Sequence, residues 1–193
     1  MREIEQLVAR LIDQERKKRL AAAERKRSAE NLYAEKNPRT LSTKNRTLME
    51  LPSRPVSESA FGRLRGRLPW PVSSGALLAS FGNQVHPTLG TITINKGIDI
   101  GSGAGAAVHA VADGTVSVVS FIPGFGHLVI LGHDDDFYTV YAHVENVTVK
   151  SGQHVAAGET IAASGKSDAG PLVHFEIWRA RTVQNPISWL AGR

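Results

Sequence analysis

Apolar side chains recur at helical spacing at the start of the chain. They are Ile4, Leu7, Val8, Leu11 and Ile12. The following stretch, ERKKRLAAAERKRSAE, is rich in strong helix formers. The pattern predicts a helical segment over residues 1–36. Its apolar stripe is narrow, which is typical of the end of a coiled coil; a charged, solvated helix packed on its own domain is the alternative.

The pattern then changes twice. Residues 37–60 are polar, contain Pro38, Pro52 and Pro55, and have neither helical nor strand periodicity, so we expect a flexible linker.

From residue 61 onward, short runs of β-branched and aromatic residues alternate with turn residues. The runs are GTVSVVSF, HLVILGH, FYTVYAHV, ETIAAS and LVHFEIW. Because they lie too close together for helical crossovers, residues 61–193 are predicted to form a mainly β domain with an antiparallel sheet.

Composition and charge exclude several classes of protein. The chain has 193 residues and no Cys, so thiol catalysis and Cys-based zinc sites are excluded. The net charge of +5 comes from residues 1–70, which contain 17 Lys and Arg but only 9 Asp and Glu. No nucleic-acid motif accompanies this charge, and we expect no nucleic-acid partner. No apolar run is long enough for a membrane span, and MREIEQLVAR shows no export signal.

Four fragments of the β domain carry side chains suited to a metal site. They are Asn95-Lys96-Gly97-Ile98-Asp99, Tyr141-Ala142-His143, Leu172-Val173-His174 and Phe175-Glu176. With NKGIDI, VHAVADGTV, YTVYAHV and GPLVHFEIW in this order, residues 67–192 resemble the LytM/lysostaphin-type zinc endopeptidase domain. The resemblance implies the antiparallel β fold of that family.

The resemblance also implies a role for each matching residue. Active members carry H-x-x-x-D, Tyr-x-His and H-x-H; the first His, the Asp and the last His bind zinc, and the other two His assist the attacking water. Asp99 and His174 keep the identities of ligands, and His143 that of a catalytic residue. Asn95 replaces the first zinc-binding His, and Leu172 replaces the first His of H-x-H. An amide is a poor ligand for zinc, so we expect no metal, no cofactor and no catalysis.

Strand alternation predicts the surface that remains. Leu172, His174 and Trp178 should share one face of their strand, as should Tyr141 and His143 on theirs, and the two faces should line one groove. Leu172 and Trp178 would make this groove apolar enough to dock a protein; the alternative is that both are simply packed in the interior. The residues expected in the partner-binding groove are Asn95, Lys96, Asp99, Tyr141, His143, Leu172, His174 and Trp178.

A degenerate domain joined to a helix resembles the EnvC-type murein hydrolase activators. That resemblance implies a periplasmic protein of the cell envelope that activates a cell-wall (N-acetylmuramoyl-L-alanine) amidase during septal peptidoglycan splitting, at cell division. It also implies that the N-terminal coiled coil contacts a division-complex partner. Two alternatives stay open: a zinc-dependent peptidoglycan endopeptidase in which another residue such as His86 supplies the missing ligand, and a passive peptidoglycan-binding module.

Overall fold

The computed structural model describes residues 2–36, 60–85, 92–167 and 170–192. The predicted linker, except for its last residue, and His86 lie outside the described residues. The chain divides into two compact units, Met1–Gln6 with Glu58–Arg193, and Leu7–Ser57. Within the described residues, no helix has a stretch both long and apolar enough to cross a bilayer.

The predicted N-terminal helix and mainly β domain are both confirmed. Helix α1 covers Arg2–Lys36. The strands are β1 Ala76–Ala79, β2 Gly82–Val85, β3 Ile92–Asn95, β4 Ile98–Gly101, β5 Ala107–His109, β6 Gly114–Ile122, β7 Gly126–Gly132, β8 Phe137–Glu145, β9 His154–Val155, β10 Thr160–Ser167, β11 Gly170–Arg179 and β12 Thr182–Gln184.

One antiparallel sheet organises the β domain. Its hydrogen-bonded order is β1-β4-β11-β10-β8-β7-β6-β9; β5 and β12 flank β10 and β11, and β11 also pairs with β8. Strands β2 and β3 form a separate hairpin. Strands β8 and β11 are buried along almost their whole length, which means that both of their faces are covered.

The main core lies on one face of this sheet. Ile98 and Ile100 of β4, Tyr141 of β8, and Phe175 and Ile177 of β11 are all fully buried in it. The turn between β3 and β4 passes close to β11, because a Cβ at Gly97 would lie 2.2 Å from the carbonyl oxygen of Phe175. Only glycine allows this approach, which brings the side chains on either side of the turn to the middle of β11.

Candidate functional site

His174 lies between two carboxylates at the centre of the sheet. Strands β4 and β11 pair so that Asp99 faces His174 directly. The Nδ1 atom of His174 lies 2.6 Å from Oδ1 of Asp99, and its Nε2 atom lies 3.0 Å from Oε1 of Glu176. The Nε1 atom of Trp178 donates a 2.6 Å hydrogen bond to the other oxygen of Glu176. Both ring nitrogens of His174 therefore face acceptors.

This arrangement favours the protonated form of His174. Burial alone would lower the pKa of the imidazole, but the hydrogen bonds to Asp99 and Glu176 and the charges of these groups outweigh it and raise the pKa to about 9. At neutral pH this favours the ring protonated on both nitrogens, each of which faces a carboxylate.

Both ends of the Asn95 side-chain amide form hydrogen bonds. Its Nδ2 atom donates to Oδ2 of Asp99 at 3.2 Å, and its Oδ1 atom accepts from the backbone N–H of Gly97 at 3.0 Å. The side chain is buried, with 5% of its surface exposed. Asn95 thus orients Asp99 and holds the β3–β4 turn.

These donors do not fit a hydrolytic zinc ion. Such an ion needs about three protein ligands with free lone pairs and one position for water. Asn95 offers an amide whose two ends are already bonded, and His174 is held by two carboxylates. Across the described residues, no group of three or more His, Asp or Glu side chains is placed to hold a metal ion.

A groove opens beside this buried cluster. Its first part is a cleft of about 490 Å³ that includes three of the predicted residues, Asp99, His143 and Leu172. A second cleft of about 500 Å³ shares Phe121 and Lys166 with the first. We call the two together the groove. The remaining lining residues are Gly124, Gly126, His127, Val144, Glu145, Asn146, Gly165 and Ser167.

The sequence did not reveal Phe121, Lys166 and Ser167 as groove residues. Phe121 lies at the end of β6, with 60% of its surface exposed, and its ring contacts His127 edge-on at 5.2 Å. None of these side chains belongs to a motif. The one available signal was an aromatic residue two positions before the Pro-Gly turn at residues 123–124.

Tyr141 does not line the groove, so that expectation is wrong. In the β8–β11 pairing Tyr141 faces Phe175, whereas His174 faces Ala142. Directly paired residues share a face, so Tyr141 points to the opposite side of the sheet from His174. It is fully buried in the core, where its hydroxyl accepts a 3.0 Å hydrogen bond from the backbone N–H of Val111.

His143 reaches the groove because its backbone breaks the strand alternation. Its φ angle is +55°, and the register between β7 and β8 shifts between His127 and Leu128. Strict alternation would place His143 on the core side with Tyr141. The left-handed backbone instead turns its side chain into the groove, where its ring lies 5.9 Å from that of Phe125.

Trp178 is buried, with 3% of its surface exposed, so it is not the exposed anchor that one interpretation of the sequence favoured. Its indole is tied to Glu176, and the Nζ atom of Lys96 lies 6.0 Å from its ring centroid. Lys96 also forms an ion pair with Glu5 in the first turn of α1. Leu172 is nearly as buried, at 5% exposed, but it borders the first cleft.

The chain is similar to a known family and to several known proteins. Residues 93–186 match the family described as Peptidase family M23. An uncharacterized metalloprotease of Haemophilus influenzae is 39% identical over 109 residues, 55% of this chain and 23% of its own length. The murein hydrolase activator NlpD of Escherichia coli is 35% identical over 127 residues, 64% of this chain and 31% of its own length.

Two further similarities agree with these matches. The cell division protein DipM of Caulobacter vibrioides is 33% identical over 144 residues, 72% of this chain and 22% of its own length. A zinc-containing peptidase from Vibrio cholerae has a similar solved structure, with a TM-score of 0.59 and 27% identity over 65% of this chain and 40% of that one. The chain thus spans less than a third of the length of the three relatives described.

Proposed function

We propose that this chain, whose residues 93–186 match the model of Peptidase family M23, is a non-catalytic activator of cell-wall amidases. It binds the amidase in the groove and favours the amidase's active conformation. The amidase then cleaves septal peptidoglycan. The binding free energy shifts a conformational equilibrium of the partner, and this chain breaks no bond.

The observation that carries the proposal is the set of side chains around Asp99 and His174. A hydrolytic zinc site of this family needs a third ligand with a free lone pair, but the amide of Asn95 stands at that position, and its two ends are bonded to Asp99 and to the backbone N–H of Gly97. Leu172 adds a second loss, because an aliphatic side chain cannot accept a proton from water or stabilise an oxyanion. His143 is thereby left in the groove without the partner histidine that general acid–base chemistry in this family uses.

The names of two relatives support the same role. NlpD is named a murein hydrolase activator and DipM a cell division protein, and they are 35% and 33% identical to this chain over 127 and 144 residues. These names support a peptidoglycan hydrolase-activator role. The amidase as the particular hydrolase, a periplasmic location and a division-complex partner for the N-terminal coiled coil are parts of our proposal.

The shape of the groove suits a protein partner. It joins an exposed aromatic ring, Phe121, to a charged side chain, Lys166, and to the polar Ser167 and His143. Aromatic residues, Phe among them, are enriched in the core of protein interfaces, and the rim around that core is polar. Peptidoglycan itself is a further partner in this proposal, close to the amidase it serves.

The proposal is tested by titrating a purified amidase with this chain in a calorimeter and by incubating the chain alone with cross-linked peptidoglycan. We expect saturable binding of the amidase and no cleavage of cross-links. Chelator-sensitive cleavage by the chain alone would identify an endopeptidase and overturn the proposal. Binding to sacculi with no affinity for an amidase would identify a passive wall-binding module and would also overturn it.

A further inference from the structure

Strand β6 leaves part of one edge of the sheet unpaired. It pairs with β7 along one side, but with β9 only through Gly114 and Thr115. Hydrogen bonds between residues 151–153 and β6 occupy the same side of the strand as far as Ser117. From residue 118 to residue 122, no other described strand lies along the outer side of β6.

Residues 118–122 themselves carry none of the features that normally keep an edge strand from pairing. The segment reads Val-Val-Ser-Phe-Ile, without a charge or a proline, and its register with β7 is regular from Val118 to Ile122. Charged residues, prolines and bulges are what keep most edge strands from pairing with other chains. The register shift of β6 lies between Val116 and Val118, before the segment, whereas the shift of β1 lies between Leu77 and Ala79, inside that four-residue strand, so β1 is the poorer template.

The exposed side chains of the β6 edge are apolar. Val119 is 36% exposed and Phe121 is 60% exposed. They are two residues apart in a regular strand and therefore share one face, the face on which Phe121 lines the groove. Because this edge has no charge, it has no electrostatic attraction for a charged partner. Its apolar side chains can instead pack against the same side chains of a second copy.

We propose that residues 118–122 pair antiparallel with the same residues of a second copy of this chain. With the twofold axis at Ser120, Val119 of each copy lies opposite Phe121 of the other, and Ser120 lies opposite Ser120. Pairs of aromatic and β-branched residues, and pairs of hydroxyl residues, are both favourable across antiparallel strands. One sheet then continues through a symmetric dimer.

The dimer would extend the groove. Phe121 belongs to both clefts, so Val119 of the second copy would lie beside the groove and add an apolar contact to its end. This inference concerns self-association, goes beyond the proposed function, and does not depend on the identity of any hydrolase.

The first test measures the mass of the full chain by sedimentation velocity across a concentration series. We expect a monomer–dimer equilibrium that Val119→Glu weakens by about tenfold or more, since the carboxylate would face the ring of Phe121. Leu77→Glu is the matched control, because it puts the same charge on an exposed apolar residue of the other edge. A monomer at every concentration, or a dimer that Val119→Glu leaves unchanged, overturns the proposal.

The second test fixes the register. The chain has no Cys, so Ser120→Cys introduces a single thiol. Opposed residues of antiparallel strands have Cα atoms about 4.5–5.5 Å apart, within the range that a disulfide spans. We expect Ser120→Cys to form a disulfide-linked dimer on mild oxidation and Ser73→Cys, an exposed control, to stay reduced. Equal cross-linking of the two variants contradicts the register.

Discussion

Asp99 and His174 face each other across strands β4 and β11, with Oδ1 and Nδ1 only 2.6 Å apart. In a zinc site both side chains would direct lone pairs at a metal. In this chain they lie within hydrogen-bond distance of each other, and Oε1 of a second carboxylate, that of Glu176, lies 3.0 Å from the other ring nitrogen. The two carboxylates raise the pKa of His174 and so favour the imidazolium, whose positive charge faces both of them.

This relationship predicts a loss of stability at alkaline pH. The pKa of His174 is raised from its ordinary value of 6.5 to about 9, so its contribution is complete below pH 6.5 and is lost as the pH rises through 9. We expect the free energy of unfolding to fall by about 3 kcal/mol when this contribution is lost. Urea unfolding measured between pH 6.5 and pH 9.5 follows this loss.

The matched variants are His174→Gln and His154→Gln. The first removes the titrating group and should flatten the pH dependence over this range. The second changes an exposed histidine and should keep the slope of the wild type. If the His174→Gln variant keeps the wild-type slope, the loss of stability comes from other groups.

Tyr141 is expected to contribute to stability and not to partner binding. Tyr141→Phe removes the acceptor of the Val111 N–H bond and leaves a buried donor unpaired. The cost should be about 1–3 kcal/mol in the free energy of unfolding, read from urea denaturation. The affinity of the folded variant for an amidase should be that of the wild type. A folded variant with lost affinity would return Tyr141 to the binding surface.

Asn95→His is expected to restore zinc binding. The variant adds the third protein ligand to Asp99 and His174, and metal binding should release the proton held by His174. Calorimetry in buffers of different ionisation enthalpy detects both events, and we expect affinity at least about tenfold above that of the wild type.

Asn83→His makes the same change at an exposed position and should bind zinc no better than the wild type. If the wild-type chain retains one tightly bound zinc ion after dialysis, the assignment of Asn95 is wrong.

Phe121 is expected to anchor the amidase. Phe121→Ala should weaken amidase binding by about 1–3 kcal/mol, because it removes the largest exposed apolar surface of the groove. Titration calorimetry with the purified amidase gives the difference. Ile187→Ala also truncates an exposed apolar residue, but outside the residues that line the groove, and should have little effect. Equal effects of the two variants would exclude Phe121 as an anchor.

The sequence carried the main elements of the fold because their signals are local. The apolar spacing of Ile4, Leu7 and Val8 predicted α1, and short β-branched runs predicted the long strands β6, β7, β8 and β11. The resemblance to the LytM-type family implied that Asp99 and His174, which lie 75 residues apart in the chain, come together.

The errors have two physical causes. Alternation assumes a regular strand, and the left-handed backbone at His143 makes β8 irregular, so His143 and Tyr141 point to opposite faces. Side-chain exposure depends on neighbours that are distant in sequence: the burial of Trp178 involves Lys96, which a strand pattern does not reveal. Phe121 was missed for the same reason, since no motif marks the end of β6 as a wall of the groove.

The central claim is tested most directly by dye release from labelled sacculi, with this chain alone, a candidate envelope amidase alone, and the two together. We predict release only in the mixture, because the groove activates a hydrolase and cleaves nothing itself. Release by this chain alone that a chelator abolishes would contradict the account, since it would require a working metal centre where Asn95 and Leu172 stand.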